Sequence, residues 1–198
     1  MKLKTILFKH ALCLLVTISF FSCSDDNDSD DVSSCNDSVI PFLKKGNTWT
    51  YNIKSLGIDN GQLTLTVKNC TGDGFAVDML ATDSTFDEIL TNDAFWKETD
   101  DFILADVADN VGAKMFRKNA QLGDTWSYTQ GDGGITTHEV IKIDSVVTVP
   151  AGTFTCKVYK YTATDIFNES FVFWNDEIGQ IKEDAGFIST ELASYTVN

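Results

Sequence analysis

The residues that could carry catalysis in this chain are few, and the first to weigh is His138. Nucleophilic hydrolysis needs a base beside a nucleophile, and His138 is the only histidine beyond residue 22. Its neighbour Glu139 falls on the opposite face of a strand, and the chain contains no Gly-x-Ser-x-Gly segment. A pair of carboxylates could catalyse glycoside hydrolysis. Such a pair is no evidence for an enzyme here, because among 29 acidic residues some always lie close together. We therefore predict no catalytic residue and no enzyme.

Metal ligands are equally scarce. The chain has no Cys-x-x-Cys pair, and a single histidine gives a zinc site almost no support. In Asp26–Asp30 acidic residues stand at every second position, as in the calcium-binding loop of an EF-hand. However, Asp31 stands where that loop has its turn glycine, and Asp37 stands where it has glutamate at the twelfth position. We expect neither a metal nor another cofactor.

The aromatic residues, by contrast, stand at repeated positions. Gly46-Asn47-Thr48-Trp49-Thr50-Tyr51 returns 77 residues later as Gly123-Asp124-Thr125-Trp126-Ser127-Tyr128. Phe95-Trp96 returns as Phe173-Trp174 at an offset of 78. All four tryptophans fall into two matched pairs, which indicates an internal repeat.

Two roles are open for these aromatic side chains. In Gly-x-Thr-Trp-x-Tyr the Trp and Tyr lie two apart on a strand and share a face, which favours core packing after a tight turn at the glycine. Exposed Trp and Tyr would instead be stacking platforms for sugar rings. In the Phe-Trp pairs one aromatic must point outward or into a concave cavity. The predicted ligand contacts are therefore Phe95, Trp96, Phe173 and Trp174.

The first 22 residues have the parts of an export signal. Three lysines flank or precede the run Ala11–Phe21, which is too short to cross a bilayer as a helix. Ser22 then precedes Cys23. At this point the chain resembles a bacterial lipoprotein precursor, whose signal is cleaved before a cysteine that becomes lipidated, although Phe20 stands where that family prefers leucine. The alternative is an ordinary secretory signal cut near Ser22.

The segment after Cys23 sharpens the resemblance. Residues 24–31 hold five aspartates and no apolar side chain, so they form a hydrated spacer. A lipidated Cys followed by Ser and acids resembles the tether of Bacteroidetes surface lipoproteins. The resemblance implies acyl chains such as palmitate on Cys23, and a place on the outer membrane facing the cell exterior. Two or more such chains hold stably in a bilayer.

This reading divides the chain into three parts. A signal peptide covers residues 1–22, the lipidated Cys and acidic tether cover 23–37, and a single β domain covers 38–198. Without its leader the chain has 12 basic and 29 acidic residues, a net charge of −17. That charge repels phosphates and anionic headgroups, so we expect no nucleic-acid partner and contact with the membrane through the anchor only.

Period-2 alternation dominates the domain from Thr48 onward. Asn60-Gly61 predicts the first hairpin turn, and further turn signals separate the later strands. Ala108–Ala120 is the least strand-like stretch, and we interpret it as a link with one short helix. Asp83–Leu90 fits either a strand or a helical turn. The repeat halves, about 42–107 and 119–184 with a C-terminal strand, predict a mainly β antiparallel meander of about ten strands.

A sheet of that size curls or closes. Val146–Phe154, with Gly-x-Thr-Trp-x-Tyr upstream and Gly179–Lys182 downstream, resembles a loose class of exported bacterial β-proteins similar to carriers of the LolA type. The resemblance implies a strongly curved sheet, half-barrel or barrel, and leaves function open.

Three cysteines lie in the domain or beside it. One bridge with a free thiol is possible, as are three thiols. Cys156 lies in a strand pattern and is expected to be a small core residue, whereas Cys35 and Cys70 are the predicted pair.

These patterns lead to one main functional hypothesis. We expect a non-catalytic, lipid-anchored outer-membrane lipoprotein whose β domain binds an extracellular ligand, with glycans as the leading choice. The alternatives are a carrier or sensor of an apolar small molecule held in a half-barrel, and a structural partner of other envelope proteins. A hydrolase ranks behind these.

Overall fold

The folded part of the chain is a single unit made of β-strands. The computed structural model describes residues 40–72, 74–82, 94–107, 110–164 and 169–198, within one compact unit, Val32–Asn198. No helix capable of crossing a membrane occurs in these ranges. The strands are β1 (Thr48–Ser55), β2 (Ile58–Thr71), β3 (Gly74–Ala81), β4 (Ala94–Glu98), β5 (Phe102–Val107), β6 (Asn110–Arg117), β7 (Thr125–Thr129), β8 (Ile135–Val149), β9 (Gly152–Ala163), β10 (Ser170–Asn175), β11 (Gly179–Asp184) and β12 (Ile188–Thr196).

All twelve strands form one antiparallel sheet in the order β6-β5-β4-β3-β2-β1-β12-β11-β10-β9-β8-β7. Apart from β6 and β7, strands that follow one another in the chain pair with each other, and β1 also pairs with β12. The two edges, β6 and β7, come together where the indole N–H of Trp126 donates to the carbonyl of Lys114 at 2.8 Å. The sheet is thus a nearly closed barrel. The predicted mainly β, strongly curved meander is confirmed, with twelve strands in place of about ten.

Each half of the chain supplies six strands. Every strand from β1 to β6 begins 76 to 78 residues before its counterpart among β7 to β12. Gly46 and Gly123 occupy equivalent turns, with φ of +88° and +86°. The amide of Gly46 donates to the carbonyl of Val67 and that of Gly123 to Val140, both at 2.9 Å. The repeated motif therefore begins each structural half.

One prediction about the link between the halves is wrong. Asn110–Arg117, inside the stretch Ala108–Ala120 that was expected to link the halves through a helix, is strand β6. The pairing of β5 with β6 shifts register twice, and Ala113 and Phe116, three residues apart, are both buried. Such shifts hide the alternation by which a strand is recognised. The segment Asp83–Leu90 lies outside the described residues.

The first hairpin turn also differs from its prediction. The chain turns at Leu56-Gly57, whose φ values of 51° and 78° suit a two-residue turn with both central residues left-handed. Asn60 and Gly61 lie inside β2, close to a register shift against β1. The remaining turns join the strands expected, beside Gly72 and at Asp100-Asp101, Gly131–Gly134, Pro150-Ala151 and Asp176–Ile178.

Asn47 fastens both ends of the folded chain to the start of β1. Its fully buried side-chain amide donates to the carbonyl of Phe42 at 2.9 Å and to that of Pro41 at 3.3 Å. Its side-chain oxygen accepts the backbone amide of Asn198 at 3.0 Å. These bonds hold residues Ile40–Leu43, here named the cap segment, against the barrel.

The two cysteines of the described ranges have different states. Cys156 is a free, buried thiol on β9, which confirms its role as a small core residue. Cys70 is disulfide-bonded. Since Cys35 lies outside the described residues, its pairing with Cys70 stays a prediction.

The equivalence of the two entry turns can be tested by substitution. Gly46→Ala and Gly123→Ala should each lower the free energy of unfolding by about 1–2 kcal/mol, because alanine resists positive φ while its methyl meets no neighbour at either site. Urea denaturation measures both. Lys45→Ala, at the exposed position beside Gly46, is the control, and a loss at only one glycine would contradict structural equivalence.

Candidate functional site

The barrel-shaped sheet encloses a cavity of about 420 Å³, here named the main cavity. Inward-pointing residues of both halves line it, because alternate residues of a strand face the same side. The side chains in its lining are apolar except for Tyr51, Gln180, Glu183 and Thr190. The apolar members are Phe42, Trp49, Ile53, Leu63, Leu65, Met79, Ala94, Trp96, Ile103, Ala105, Met115, Phe116, Trp174, Ile178 and Ile188.

Two of the four predicted ligand contacts line this cavity and two do not. Trp96 and Trp174 face inward, and Trp174 is only 6% exposed. Phe95 and Phe173 alternate with them and are half-buried on the other face. The ring of Phe95 covers Gly74, where an added Cβ would lie 2.5 Å from it, so Phe95 has a packing role.

The Trp and Tyr of the repeated motif are mostly interior residues. Trp49, 2% exposed, lines the main cavity and donates its indole N–H to the carbonyl of Ile178 at 2.8 Å. Tyr51 is buried and its hydroxyl donates to the carbonyl of Gln180 at 3.0 Å. Burial, reinforced by the charge of Glu183, raises the pKa of Tyr51. The tyrosine is therefore a neutral donor.

Aromatic contacts make one wall of the main cavity rigid. Phe42 of the cap segment meets Trp174 edge-on, with ring centroids 5.1 Å apart, and Phe116 stacks on Trp174 at an interplanar angle of 19°. Trp49 lies 6.0 Å from Trp96 and 6.5 Å from Phe42. Edge-on and stacked contacts are the arrangements that aromatic rings prefer, so Phe42, Phe116 and Trp174 support one another in this wall.

A second, smaller cavity of about 150 Å³ abuts the first and is here named the polar pocket. The two share Met115, Phe116, Gln180 and Glu183. The remaining lining is Tyr128, Gln130, Thr136, His138, Tyr161, Ala163 and Val172.

Glu183 stands at the junction of the two cavities. Its carboxylate accepts the hydroxyl of Tyr161 at 2.6 Å and the side-chain amide of Gln180 at 3.3 Å. Burial, and then the charge of Glu183, raises the pKa of Tyr161. None of the ion pairs seen between described residues involves Glu183.

His138 lies on the inner face of β8 and is 6% exposed. Its ring is parallel to Trp126 within 3°, at 5.1 Å, and stacks on Tyr161 at 5.6 Å. Neither ring nitrogen has a hydrogen-bond partner among the described residues. Burial lowers the pKa of His138 to about 4, so the imidazole is neutral near pH 7. Glu139 faces the other way, 3.0 Å from Lys160.

No sequence pattern connects His138, Tyr161 and Glu183 with a binding site. Their distance in the chain hides the cluster, since the three lie on separate strands, β8, β9 and β11. An alignment at the offset of 77 that relates Trp49 to Trp126 places Gly61 opposite His138, so it gives no signal for the cluster. Only the strand pairing of the structure places His138 opposite Trp126, where the first copy has Leu65 opposite Trp49.

Other chemistry has little support in the part of the chain that the structure describes. No three His, Cys, Asp or Glu side chains there converge to hold a metal ion. Burial raises the pKa of the Cys156 thiol to about 11, so the thiol stays protonated. Cys23, the predicted lipidation site, lies outside the described residues.

No family model, curated protein or solved structure matches this chain. The resemblance to lipoproteins and LolA-like carriers therefore stays a prediction from the sequence.

The burial of neutral His138 predicts a pH dependence of stability. The pKa is about 6.5 in an unfolded chain and about 4 in the fold, so between these values only the unfolded chain takes up the proton. The free energy of unfolding should therefore fall as the pH drops from about 6.5 to about 4, by up to about 3 kcal/mol from this residue.

His138→Phe isolates that contribution, because phenylalanine keeps the stacking on Trp126 but does not titrate. Urea denaturation from pH 7.5 to pH 4 should give a shallower loss for the variant than for the wild type. Parallel curves for the two proteins would show that His138 does not carry the effect.

Proposed function

We propose that this protein is a non-catalytic carrier or sensor that binds an apolar small molecule inside its barrel-shaped sheet. The observation that carries the proposal is the main cavity of about 420 Å³, lined by three of the four tryptophans. This volume lies within the range of about 300–1,000 Å³ found for small-molecule sites.

The chemistry of the lining favours an apolar ligand over a sugar. Each Å² of apolar surface removed from water contributes roughly 25 cal/mol, and most of the cavity wall offers such surface. A sugar ring placed there would leave several hydroxyls without partners, at a cost of about 1–3 kcal/mol each. The few polar groups of the site can satisfy one end of a ligand but not a ring of hydroxyls.

The position of the tryptophans also favours an interior ligand. Trp49 and Trp174 are buried and Trp96 is half-buried facing the cavity. No tryptophan is among the exposed large hydrophobic side chains of the described ranges. Glycan stacking needs an exposed ring, and no tryptophan of the described ranges supplies one. The glycan hypothesis stays a prediction.

A cavity held open by packed rings lowers the entropic cost of binding, because the protein side chains are ordered beforehand. Phe42, Phe116 and Trp174 supply this order through their mutual ring contacts. The cap segment that carries Phe42 is in turn held by the buried Asn47.

The proposed cellular address rests on the sequence alone. Residues 1–39 lie outside the described ranges, and Cys23 with its acidic tether is the argument for a lipid anchor in the outer membrane, facing the cell exterior. A carrier fixed in this way needs no membrane-binding face of its own. Participation in a complex of envelope proteins stays an alternative hypothesis.

Filling the main cavity should abolish binding. Ala105 is 1% exposed and lines the cavity, so Ala105→Phe would occupy the space a ligand needs. The neutral fluorophore N-phenyl-1-naphthylamine, which brightens in apolar surroundings, should bind residues 24–198 of the wild type. We expect the Ala105→Phe variant to bind it at least about tenfold more weakly, the loss of roughly 1.4 kcal/mol.

Ala185→Phe is the matched control, since this alanine lies in the turn before β12 and outside the cavity lining. Circular dichroism verifies that both variants fold, because overpacking of a core costs about 1–3 kcal/mol. Equal binding by the wild type and Ala105→Phe would contradict the proposal.

The anchor has a separate test. Cys23→Ser should move the protein from the membrane fraction to the soluble fraction and abolish incorporation of a clickable palmitate analogue, because serine offers no thiol for lipidation. Cys156→Ser controls for the loss of a cysteine as such. Membrane retention of the Cys23→Ser protein would contradict the proposed anchor.

A further inference from the structure

The interior of the barrel is chemically divided, although it is built from two copies of one repeat. In the first copy Tyr51 pairs with Leu63 and Trp49 with Leu65. In the second copy the same positions of the motif pair with polar residues, Tyr128 with Thr136 and Trp126 with His138. At the offset of 78 that relates Ile103 to Ile181, Ala105 corresponds to Glu183.

All three differences replace an apolar residue by a polar one, and all three fall in the polar pocket. Thr136, His138 and Glu183 line that pocket, whereas Leu63, Leu65 and Ala105 line the main cavity. A core that served packing alone has no need of this change, since the apolar residues of the first copy fill equivalent places.

His138 supplies two hydrogen-bonding groups without partners. A neutral imidazole has one N–H donor and one acceptor nitrogen, and leaving such groups buried and unpaired costs about 1–3 kcal/mol. Both nitrogens are buried, lack partners among the described residues, and belong to a side chain that lines the polar pocket. The N–H and the lone pair of an imidazole point away from each other, so one ligand hydroxyl bonds one of the two nitrogens.

The carboxylate of Glu183 determines which charge a ligand group can carry at the junction of the two cavities. Its carboxylate has Tyr161 and Gln180 as donors and no ion pair with a described lysine or arginine. An anionic group entering the junction would meet this negative charge in a largely apolar surrounding, where repulsion is strong. A carboxylate or phosphate head is therefore disfavoured.

From these observations we propose that the ligand is an apolar molecule that ends in a hydroxyl group. The hydroxyl lies in the polar pocket with His138 and Glu183, and the apolar body lies in the main cavity. The hydroxyl accepts from the imidazole N–H of His138 and donates to the carboxylate of Glu183, and an ammonium group cannot accept in this way. The inference rests on the proposed function and names the class of ligand.

The test compares probes that share one alkyl chain and differ in the head. Residues 24–198, which contain the whole compact unit, are loaded with N-phenyl-1-naphthylamine at pH 7.5. Dodecanol, dodecylamine and dodecanoate then compete for the cavity. We expect dodecanol to displace the fluorophore with an affinity about tenfold higher than dodecanoate, the effect of one well-made hydrogen bond or one charge repulsion, with dodecylamine between them.

Two substitutions assign the preference to its residues. Glu183→Gln removes the charge, so the ratio of dodecanol to dodecanoate affinity should fall about tenfold. His138→Phe keeps the ring and removes both nitrogens, so dodecanol affinity should fall about tenfold. Ala185→Phe, outside the lining of both cavities, should leave the ratio as in the wild type, and circular dichroism confirms that each variant is folded.

The outcomes separate this inference from the proposed function. If neither the fluorophore nor any dodecyl compound binds, the proposed function fails and the inference fails with it. If the fluorophore binds but dodecanoate equals or exceeds dodecanol, the cavity binds apolar molecules and the hydroxyl assignment is overturned. Unchanged dodecanol affinity in His138→Phe overturns it as well.

Discussion

The number of strands is the constraint on which the rest of this structure depends. About eight strands close a barrel whose interior is just filled by its own side chains. This sheet has twelve strands, so its interior is wider and a larger volume of side chains is needed to fill it. Large aromatic side chains and the cap segment occupy much of this interior, and a cavity of about 420 Å³ remains. The cavity thus follows from the size of the sheet and the way it curves.

The near closure of the sheet brings both its chain ends and its strand edges into contact with other parts of the structure. Because β1 pairs with β12, both ends of the folded chain lie in the middle of the sheet, where Asn47 binds them together. The edges of the sheet formed by the described residues are β6 and β7, and these approach each other through Trp126 and Lys114. Exposed strand edges invite association with other chains, so this arrangement protects the weakest part of a twelve-stranded meander.

Much of the fold could be predicted because turns and alternation are local properties. The strand pairs on either side of Asp100-Asp101 and Gly131–Gly134 lie where the sequence predicts them. Strand β6 could not be found, because register shifts bring residues three apart into the core. The first turn, at Leu56-Gly57, was not predicted because Asn60-Gly61 is the stronger local turn signal. Asn60-Gly61 lies inside β2, whose register is determined by its pairing with the neighbouring strands along its whole length.

The candidate site could be predicted only in part, for a related reason. Adjacent residues of a strand face opposite sides, so one residue of each Phe-Trp pair was expected to point outward or into a cavity. Trp96 and Trp174 do line the main cavity. The polar pocket depends on residues from three strands, and no local pattern brings His138 and Glu183 together. Only the curvature of the sheet does so, and curvature arises from the accumulated twist and closure of all twelve strands.

Native mass spectrometry of the protein purified from its own cells tests the central claim most directly. If the interior binds an apolar molecule, the folded protein should carry an added small mass that is released on denaturation and is extracted into organic solvent. A folded protein that is free of any ligand, and that takes up no apolar molecule from a total lipid extract, would contradict the account.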